Sequence, residues 1–418
     1  MDRSNITPPT DNGHWKRSFW TIAAGQTVSM IGSSAVQFAL IWWLALQTDS
    51  PLVMSLAGLT AFLPQFLLGP FAGVWIDRRK KRTVAIWADL GIGLVSGAMA
   101  LYWGMSEPPY WIVMVILALR GLGGVFHTPA IQALMPLLVP TDQLMRANGL
   151  SQFLQSGAYM LGPVLGGLMY GTLAMPLILL TDLAGALAAA SALAAARVTE
   201  QPHAASAGRM HFAGELWEGI AVFREDRTLR HIALTTFICM VCYMPMSSLY
   251  PLMTSSYFAL GSLYGSIVEF VYALGMMTVS LMMGWLGERF NKVRLIYGGL
   301  ALLGLSSLAC GLLPSGGMLY YWLFAAFCLV MGAASSFYAI PLGTYMQQSI
   351  PPEKLGRAFS LWGSAMSAAM PVGLLLSGPL CERYGVPPWF FWSGVLMMAA
   401  AAIDYLCIRR AVSKTAGR

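Results

Sequence analysis

The chain has 418 residues, of which 57% are hydrophobic and 10% are charged, with a formal net charge of +7. A soluble protein carries about 25% charged residues, so this chain has too little charge to cover a surface in water. Its basic residues fall in short runs between apolar segments, which is typical of membrane topology and not of a nucleic-acid-binding face.

Apolar runs of bilayer-crossing length recur along the chain, since about 20 helical residues span the hydrocarbon core. The first 17 residues are polar, so we expect no cleavable signal peptide, and the run that follows should remain as a span. We predict twelve spans, at approximately 18–46, 52–76, 84–104, 110–138, 144–171, 173–196, 231–258, 262–287, 293–313, 318–350, 355–380 and 387–408.

The positions of Lys and Arg predict the orientation of these spans. Both termini and the even-numbered connections contain almost all of them, while the odd-numbered connections contain only Arg383. Because cytoplasmic loops carry the excess of basic residues, both termini should be cytoplasmic. We expect a cytoplasmic segment, a six-helix half, a central cytoplasmic loop, a second six-helix half and a cytoplasmic tail, at 1–17, 18–196, 197–230, 231–408 and 409–418.

The second half of the chain repeats the first at an offset of 211 residues. Gly73, Asp77 and Arg78 correspond in this way to Gly284, Glu288 and Arg289. The offset also pairs Pro140 with Pro351, Arg146 with Arg357 and Gly162 with Gly373. A repeat of half the chain length in an apolar sequence predicts two related membrane halves, an arrangement typical of transporters.

The end of the central loop has the pattern of an amphipathic helix. Over Phe212–Leu229, apolar Leu216, Ile220 and Phe223 recur at helical spacing among charged residues. We predict a helix lying on the membrane surface, with a structural role favoured over a regulatory one.

The connection after the second span carries the strongest motif. Gly73, Asp77, Arg78, Lys81 and Arg82 fit the signature of the major facilitator superfamily, and Lys80 replaces its second glycine. With twelve spans in two halves, the whole chain resembles that superfamily. The resemblance implies an all-α integral membrane protein of twelve transmembrane helices in two pseudo-symmetric six-helix halves.

Two further motifs lie in the fourth and fifth spans. The fifth span is similar to the glycine–proline motif of the superfamily's antiporters, which favours export, and its residues are Gly157, Gly162, Pro163, Gly166 and Gly167. Proline kinks a helix and glycine permits close helix contact. Arg120 with Gly123 and Gly124 partly matches the superfamily's Arg-x-x-Gln-Gly motif.

Several stretches resemble the bacterial macrolide-efflux (Mef-type) subgroup: Ala24–Ser29, Phe126–Ala130, Pro136–Pro140, Met244-Pro245 and Leu355–Leu361. This resemblance implies proton-coupled export of macrolides or other amphipathic drugs, and relatives that export siderophores leave that alternative open. It further implies a bacterial inner-membrane protein that functions as a monomer. Its partners would be a small amphipathic substrate, protons and membrane lipids, without nucleic acid or cofactor.

Ionisable residues inside spans are costly and mark functional sites. Glu269 lies about 10 Å into the eighth span at 1.5 Å per residue, and a desolvated carboxylate there could exchange protons. Arg120, His127 and Asp182 complete the candidates for proton coupling, with a structural role left open for each. Asp89 and Asp404 lie near cytoplasmic span ends within possible reach of Arg82 and Arg409, so we expect structural roles for them.

Polar stripes on two spans and aromatic or thioether side chains in the second half suggest a substrate cavity. Such stripes line water-filled cavities or join helices by hydrogen bonds, and both readings are open. The candidates are Gln26, Ser29, Ser33, Gln37, Gln155, Tyr159, Tyr243, Met244, Tyr272, Met276, Phe337, Tyr338 and Trp362.

The resemblance also implies a cytoplasmic gate, a charge latch between the two halves. Its residues would be Gly73, Asp77, Arg78, Arg82 and Arg146, with Glu288, Arg289 and Arg357 as matching elements of the second half. Basic residues here also set topology, but Asp77 is not explained by topology.

Other classes of function lack their motifs. No Gly-x-x-x-x-Gly-Lys-Ser/Thr loop is present for an ATP-driven pump, and neither His-Glu-x-x-His nor Gly-x-Ser-x-Gly is present for a hydrolase. We expect no metal site, and read Cys239 and Cys242 as buried structural residues. A transporter, and not an enzyme, is predicted, with a nutrient symporter as the rival to an exporter and a non-transporting sensor as a further alternative.

Overall fold

The computed structural model describes residues 14–48, 51–196, 198, 212–260, 262–286 and 290–416. These residues form helices joined by short turns, without a β-strand among them. The helices are α1 (His14–Thr48), α2 (Pro51–Asp77), α3 (Lys81–Met105), α4 (Tyr110–Leu138), α5 (Leu144–Thr172), α6 (Met175–Ala195), α7 (Phe212–Glu225), α8 (Arg227–Tyr243), α9 (Met246–Leu252), α10 (Ser262–Leu286), α11 (Lys292–Gly311), α12 (Met318–Ser349), α13 (Leu355–Tyr384) and α14 (Pro387–Ala416).

These helices follow the twelve predicted spans closely. The fourth span, predicted at 110–138, is the helix Tyr110–Leu138. In the described part of the chain, nine helices are individually long and apolar enough to cross a membrane. The other three spans correspond to α2, α5 and the interrupted pair α8–α9.

The seventh span is not the single helix that the sequence predicts at 231–258. Helix α8 ends at Tyr243, α9 runs over Met246–Leu252, and a π-helical turn follows over Met253–Tyr257. Pro245 has no N–H, so it cannot donate to the carbonyl of Val241 four residues earlier. Gly373 of α13 packs against that carbonyl and against the Pro245 ring. The break therefore coincides with a close helix contact.

The central-loop helix is shorter than predicted. It ends at Glu225, and Asp226 begins the next helix by accepting a hydrogen bond from the Leu229 N–H at 3.0 Å. An aspartate at this position satisfies a free N–H of the first turn. Phe212–Leu229 is thus two helices joined at a cap, and not one surface helix.

Contacts divide the chain into two compact units. The first lies within Met1–Ala147, Leu154–Ile220 and Gln347–Ser364, and the second within Asn148–Phe153, Ala221–Met346 and Ala365–Arg418. The start of α13 thus belongs to the first unit, whereas Asn148–Phe153 of α5 belong to the second. In the first unit, α3 and α1 both pack on α6, around a core that includes Leu40, Leu44, Val113, Ile178 and Leu179.

The 211-residue offset is repeated in the packing of each unit. Gly162 of α5 packs against Ser34 of α1, and Gly373 of α13 packs against Pro245 beside α8. Both members of the second pair stand 211 residues after those of the first. The repeated glycines therefore occupy equivalent helix contacts.

Candidate functional site

A buried ion pair lies in the first unit, where Arg120 of α4 meets Asp182 of α6, with side chains 7% and 1% exposed. Ser96 of α3 donates to Asp182 Oδ2 and accepts from Arg120 Nη1, both at 2.5 Å. Ser33 of α1 donates to Asp182 Oδ1 at 2.5 Å, and its carbonyl accepts from Arg120 Nη2 at 3.1 Å. Four helices thus surround one charge pair, in which Arg120 Nε is left buried without a hydrogen bond among the described residues.

A second polar group contains Asp89 of α3, Gln26 of α1 and His127 of α4. Gln26 Nε2 donates to Asp89 Oδ2 at 2.9 Å. His127 Nε2 lies 3.3 Å from Asp89 Oδ1, which is within ion-pair distance. The angles are not those of a hydrogen bond, so Nε2 is buried without a hydrogen-bond partner among the described residues. A small rotation of the imidazole would complete the bond to Asp89.

Arg82, which the sequence places within reach of Asp89, binds the end of the neighbouring helix α6. Asp89 is 4% exposed, and Arg82 donates to the carbonyls of Leu193 and Ala194 at the end of α6. Because Lys and Arg favour the last carbonyls of a helix, Arg82 stabilises the end of α6. The sequence offers little signal for the Asp89–His127 pair, since the two residues are 38 positions apart.

The polar stripe on α1 is divided between different environments. Gln26 and Ser33 bind the two buried acids, Ser29 is 7% exposed, and Gln37 is exposed. The sequence left open whether the stripe lines a cavity or joins helices, and Gln26 and Ser33 join helices. On α5, Gln155 is half-buried and Tyr159 is exposed.

An aromatic cluster lies in the second unit beside the break after α8. Tyr243 donates through its hydroxyl to that of Tyr272 of α10 at 2.6 Å, and Tyr338 of α12 donates to Met240 Sδ at 3.2 Å. Tyr250 of α9, which the sequence did not single out, lies with its ring tilted against that of Tyr272, the ring centroids 6.4 Å apart. The candidates Met244, Met276 and Phe337 of the second unit are half-buried, as is Trp362 at the start of α13 in the first unit.

The proposed role of Glu269 in proton exchange stays a prediction, because the described contacts do not test it. Glu269 is exposed on α10, and its side chain makes no hydrogen bond or ion pair with the other described residues. Tyr272, three residues later, points instead into the aromatic cluster.

The carboxylate of Asp77, at the end of α2, caps the start of α13. Its oxygens accept from the backbone N–H of Gly356 at 2.7 Å and of Arg357 at 3.0 Å. Arg357 Nε donates to the same carboxylate at 2.9 Å. The first N–H groups of a helix have no partner within it and carry a partial positive charge, so an acid bound here is stabilised twice.

The ionisation of Asp77 reflects opposing effects. Burial raises the pKa of the carboxyl above its ordinary value, and the N–H and guanidinium of Arg357, with the charge of Lys81, oppose the rise. Arg357 Nη1 also donates to Glu218 Oε2 of α7 at 2.7 Å. Asp77, Arg357 and Glu218 therefore form a chain from α2 through α13 to α7, and we call these three residues the gate triad.

The other candidates for the gate lie around this triad or beyond the described residues. A side chain on Gly73 would bring its Cβ to 2.7 Å from the Arg357 Cα, so only glycine permits this approach. Arg78 is half-buried, and Arg146 is exposed at the start of α5. Glu288 and Arg289 lie outside the described residues.

The glycine–proline motif lies inside the continuous helix α5. A Cβ on Gly166 would stand 2.5 Å from the carbonyl oxygen of Ala35, so α5 and α1 touch through backbone atoms. Pro163 lies within the same helix, and Gly162 meets Ser34. Gly157 is half-buried, whereas Gly167 is exposed, with only the Phe38 ring near its Cβ direction.

Asp404 of α14 is bound by side chains of α8 and α11. His231 Nδ1 lies 2.5 Å from Asp404 Oδ1, and Thr235 and Tyr297 donate to Oδ2 at 2.6 and 2.5 Å. These three partners come from α8 and α11, all in the second unit. Cys239 and Cys242 are buried and unbridged, and no cluster of three or more metal-binding side chains occurs in the part of the chain that the structure describes.

Long apolar helices with costly charges buried among them are typical of membrane transporters. The model of the Major Facilitator Superfamily matches residues 22–269 and 232–417. The chain belongs to this superfamily and, within it, groups with the macrolide-efflux proteins.

The relatives support that placement over nearly the whole chain. Macrolide efflux protein A of Streptococcus pyogenes is 37% identical over 390 residues, covering 93% of this chain and 96% of the relative. Macrolide efflux protein A of Enterococcus faecalis is 35% identical over 325 residues, covering 78% of this chain and 99% of the relative. The crystal structure of the human organic anion transporter MFSD10 (TETRAN) matches the fold with a TM-score of 0.76 at 16% identity, covering 93% of this chain and 99% of that one.

These findings confirm the predicted family, the all-α twelve-helix fold and the prediction of a transporter over an enzyme.

Proposed function

We propose that the protein is a secondary active exporter that exchanges protons for macrolides or other amphipathic drugs by alternating access. The observation that carries the proposal is the 37% identity with macrolide efflux protein A across 93% of the chain. In this proposal the protein is a monomer in the cell membrane of a bacterium, surrounded by lipid, with both termini in the cytoplasm. The distribution of basic residues supports that orientation.

Proton coupling is supported by the buried charges of the first unit. An Asp or Arg at the centre of a membrane helix costs about 2.5–3.5 kcal/mol on insertion scales, so such residues persist where they have a task. We assign coupling to Arg120, Asp182 and His127, with Glu269 as a further candidate acid. Arg120 would hold Asp182 ionised, and relief of that pairing would accompany the change of state.

The gate triad would control the cytoplasmic side. Alternating access requires contacts that form in one state and break in the other. The hydrogen bonds from Gly356 and Arg357 to Asp77 suit that task, because their combined strength depends on the approach of two helix ends. Arg78, Arg82 and Arg146 would supply positive charge at the same membrane face, and Glu288 and Arg289 would act in the repeated motif.

The aromatic cluster would form part of the substrate-binding wall. Broken helices in transporters occur where substrate binds, and the break after Tyr243 lies beside the Tyr243–Tyr272 hydrogen bond. Phenol rings and methionine thioethers give an apolar surface that adapts to different ligands. Met244, Met276, Phe337 and Tyr338 would extend the wall within the second unit. Trp362, Gln37, Gln155 and Tyr159 of the first unit are proposed as further substrate contacts.

The test uses everted membrane vesicles from an efflux-deficient host. Respiration acidifies the lumen, and a pH-sensitive dye reports proton movement after erythromycin is added. An antiporter releases protons from the lumen, whereas a symporter alkalinises the medium. No macrolide-dependent proton movement, together with unchanged macrolide susceptibility of the host, would refute the proposal. Growth under iron limitation in the same host would then test siderophore export.

A further inference from the structure

Two polar layers cross the helices of the first unit. The first layer is formed by Arg120 and Asp182 with their two serines. The second contains Gln26, Asp89 and His127, each seven residues from the first-layer residue on its own helix. Seven residues are about 10 Å along a helix axis, so the layers are stacked and separate.

The two layers differ in charge. Asp182 has a guanidinium partner, and that pair has no net charge while Arg120 stays protonated, as arginine does in proteins. Asp89 has no Lys or Arg partner, and its contacts in the described residues are the neutral amide of Gln26 and the imidazole of His127. The second layer therefore has a net charge that depends on one proton.

The surrounding helices provide no other compensating charge at this level. Helices α1, α2, α3, α4 and α6 place their remaining ionisable side chains at their ends or in the first layer. These are His14, Lys16, Arg17, Asp77, Lys81, Arg82, Tyr102, Tyr110, Arg120 and Asp182. Lys81 and Arg82 lie eight and seven residues before Asp89 on α3, and Arg82 is bound to the end of α6. Asp89 itself is 4% exposed.

A buried carboxylate without a cation is strongly disfavoured, and protonation removes the charge. We propose that Asp89 and His127 form a proton-binding site of this transporter, in which one proton is held between Asp89 Oδ1 and His127 Nε2. Binding the proton changes the pair from a net charge of −1 to 0, and its release restores −1. His127 Nε2 has no hydrogen-bond partner among the described residues and lies 3.3 Å from Asp89 Oδ1. The shared proton would sit between these two atoms. The proposal rests on proton-coupled export and names the residues that carry the proton.

Reconstituted protein tests the site with erythromycin as the probe. Asp89→Asn keeps the shape of the side chain but cannot take up the proton, whereas Asp89→Glu keeps the carboxyl and alters the shape. We expect Asp89→Asn and His127→Gln to lose accumulation driven by a pH gradient, yet to retain erythromycin counterflow, which needs no net proton movement. Their counterflow should also lose its pH dependence. Asp89→Glu should retain part of the gradient-driven accumulation.

Controls separate this site from other acids and from the proposed function. Asp404→Asn removes an acid that also contacts a histidine but has two hydroxyl donors, and it should retain coupling. Gradient-driven accumulation by Asp89→Asn, or loss in Asp89→Glu with retention in Asp89→Asn, would overturn the proposal. Wild-type protein that accumulates no erythromycin under a pH gradient would instead refute proton-coupled export.

Infrared spectra of purified protein test the site independently of transport. A carboxyl band that titrates in wild type should be absent from Asp89→Asn. Persistence of that band in Asp89→Asn would overturn the site.

Discussion

Asp77 binds Arg357 through both the backbone and the side chain: one carboxylate oxygen accepts from the N–H at 3.0 Å and from Nε at 2.9 Å. The two residues are 280 positions apart and join the end of α2 to the first turn of α13. A helix start is a site of partial positive charge, so the contact combines a cap with an ion pair. Separation of the two helix ends would break both interactions together.

Asp77→Asn should reduce export strongly while membrane insertion stays normal. Hydrogen bonds to charged groups contribute about 1.5–3 kcal/mol, more than neutral ones, and the amide keeps the size but not the charge. The measurement is the rate of macrolide efflux from loaded cells at matched expression. Asp142→Asn is the control, because Asp142 is exposed on the turn before α5 and accepts only from Gln143 at 3.1 Å. Export by Asp77→Asn at the rate of this control would remove the gate role.

Glu218→Gln should have a much smaller effect than Asp77→Asn. The Glu218 side chain is 58% exposed, and exposed ion pairs contribute roughly 0.2–1 kcal/mol, which salt reduces further. We expect a modest change in efflux rate in vesicles at low ionic strength and none at high ionic strength. A loss as severe as that of Asp77→Asn would show that α7 has an essential part in the gate.

Asp182→Asn should lower thermal stability sharply, because the Arg120 charge would be left buried without its partner. Breaking a buried ion pair costs about 3–5 kcal/mol. The double variant Arg120→Gln/Asp182→Asn should recover part of the loss, since no unpaired charge remains. The unfolding midpoint of purified protein measures both, with Ser96→Ala as a milder control at about 0.5–1.5 kcal/mol. A double variant no more stable than Asp182→Asn would contradict the predicted coupling.

Gly166→Ala should reduce stability and transport, and Gly171→Ala on the same helix should not. The new Cβ at 166 would stand 2.5 Å from the Ala35 carbonyl oxygen, whereas nothing lies within 4 Å at 171. Overpacking a tight contact costs about 1–3 kcal/mol. Thermal unfolding and efflux rate of the two variants give the comparison. Equal behaviour would mean that α5 and α1 move apart at little cost.

Sequence reasoning located the helices well because the relevant forces are local. A bilayer-length apolar run must be helical to satisfy its own backbone, so the span at 110–138 could be read directly as Tyr110–Leu138. Proline did not by itself predict a break. Pro163 and Pro341 lie inside the continuous helices α5 and α12, whereas the chain is interrupted at Pro245. At Pro245, Gly373 packs against the Val241 carbonyl that proline leaves without its usual donor.

The partners of buried charges, unlike the helices themselves, are not determined by local sequence. The sequence indicated that Arg120, His127, Asp182 and Glu269 were functional candidates, and it favoured a structural role for Asp89. The structure pairs Asp89 with His127 and leaves Glu269 exposed. Such pairs depend on the rotation and axial register of helices packed side by side, which residue spacing within one helix does not encode.

The sequence alone determined the membrane class, the twelve spans, the repeat and the motifs that place the chain in its superfamily, because hydrophobicity and short-range spacing are properties of the chain itself. Only the tertiary structure decided that Asp77 caps α13, that Arg120 neutralises Asp182, and that Asp89 has a histidine and, among the described residues, no Lys or Arg beside it. Each of these depends on which helices pack together, since a charge in an apolar interior is governed by neighbours distant along the chain.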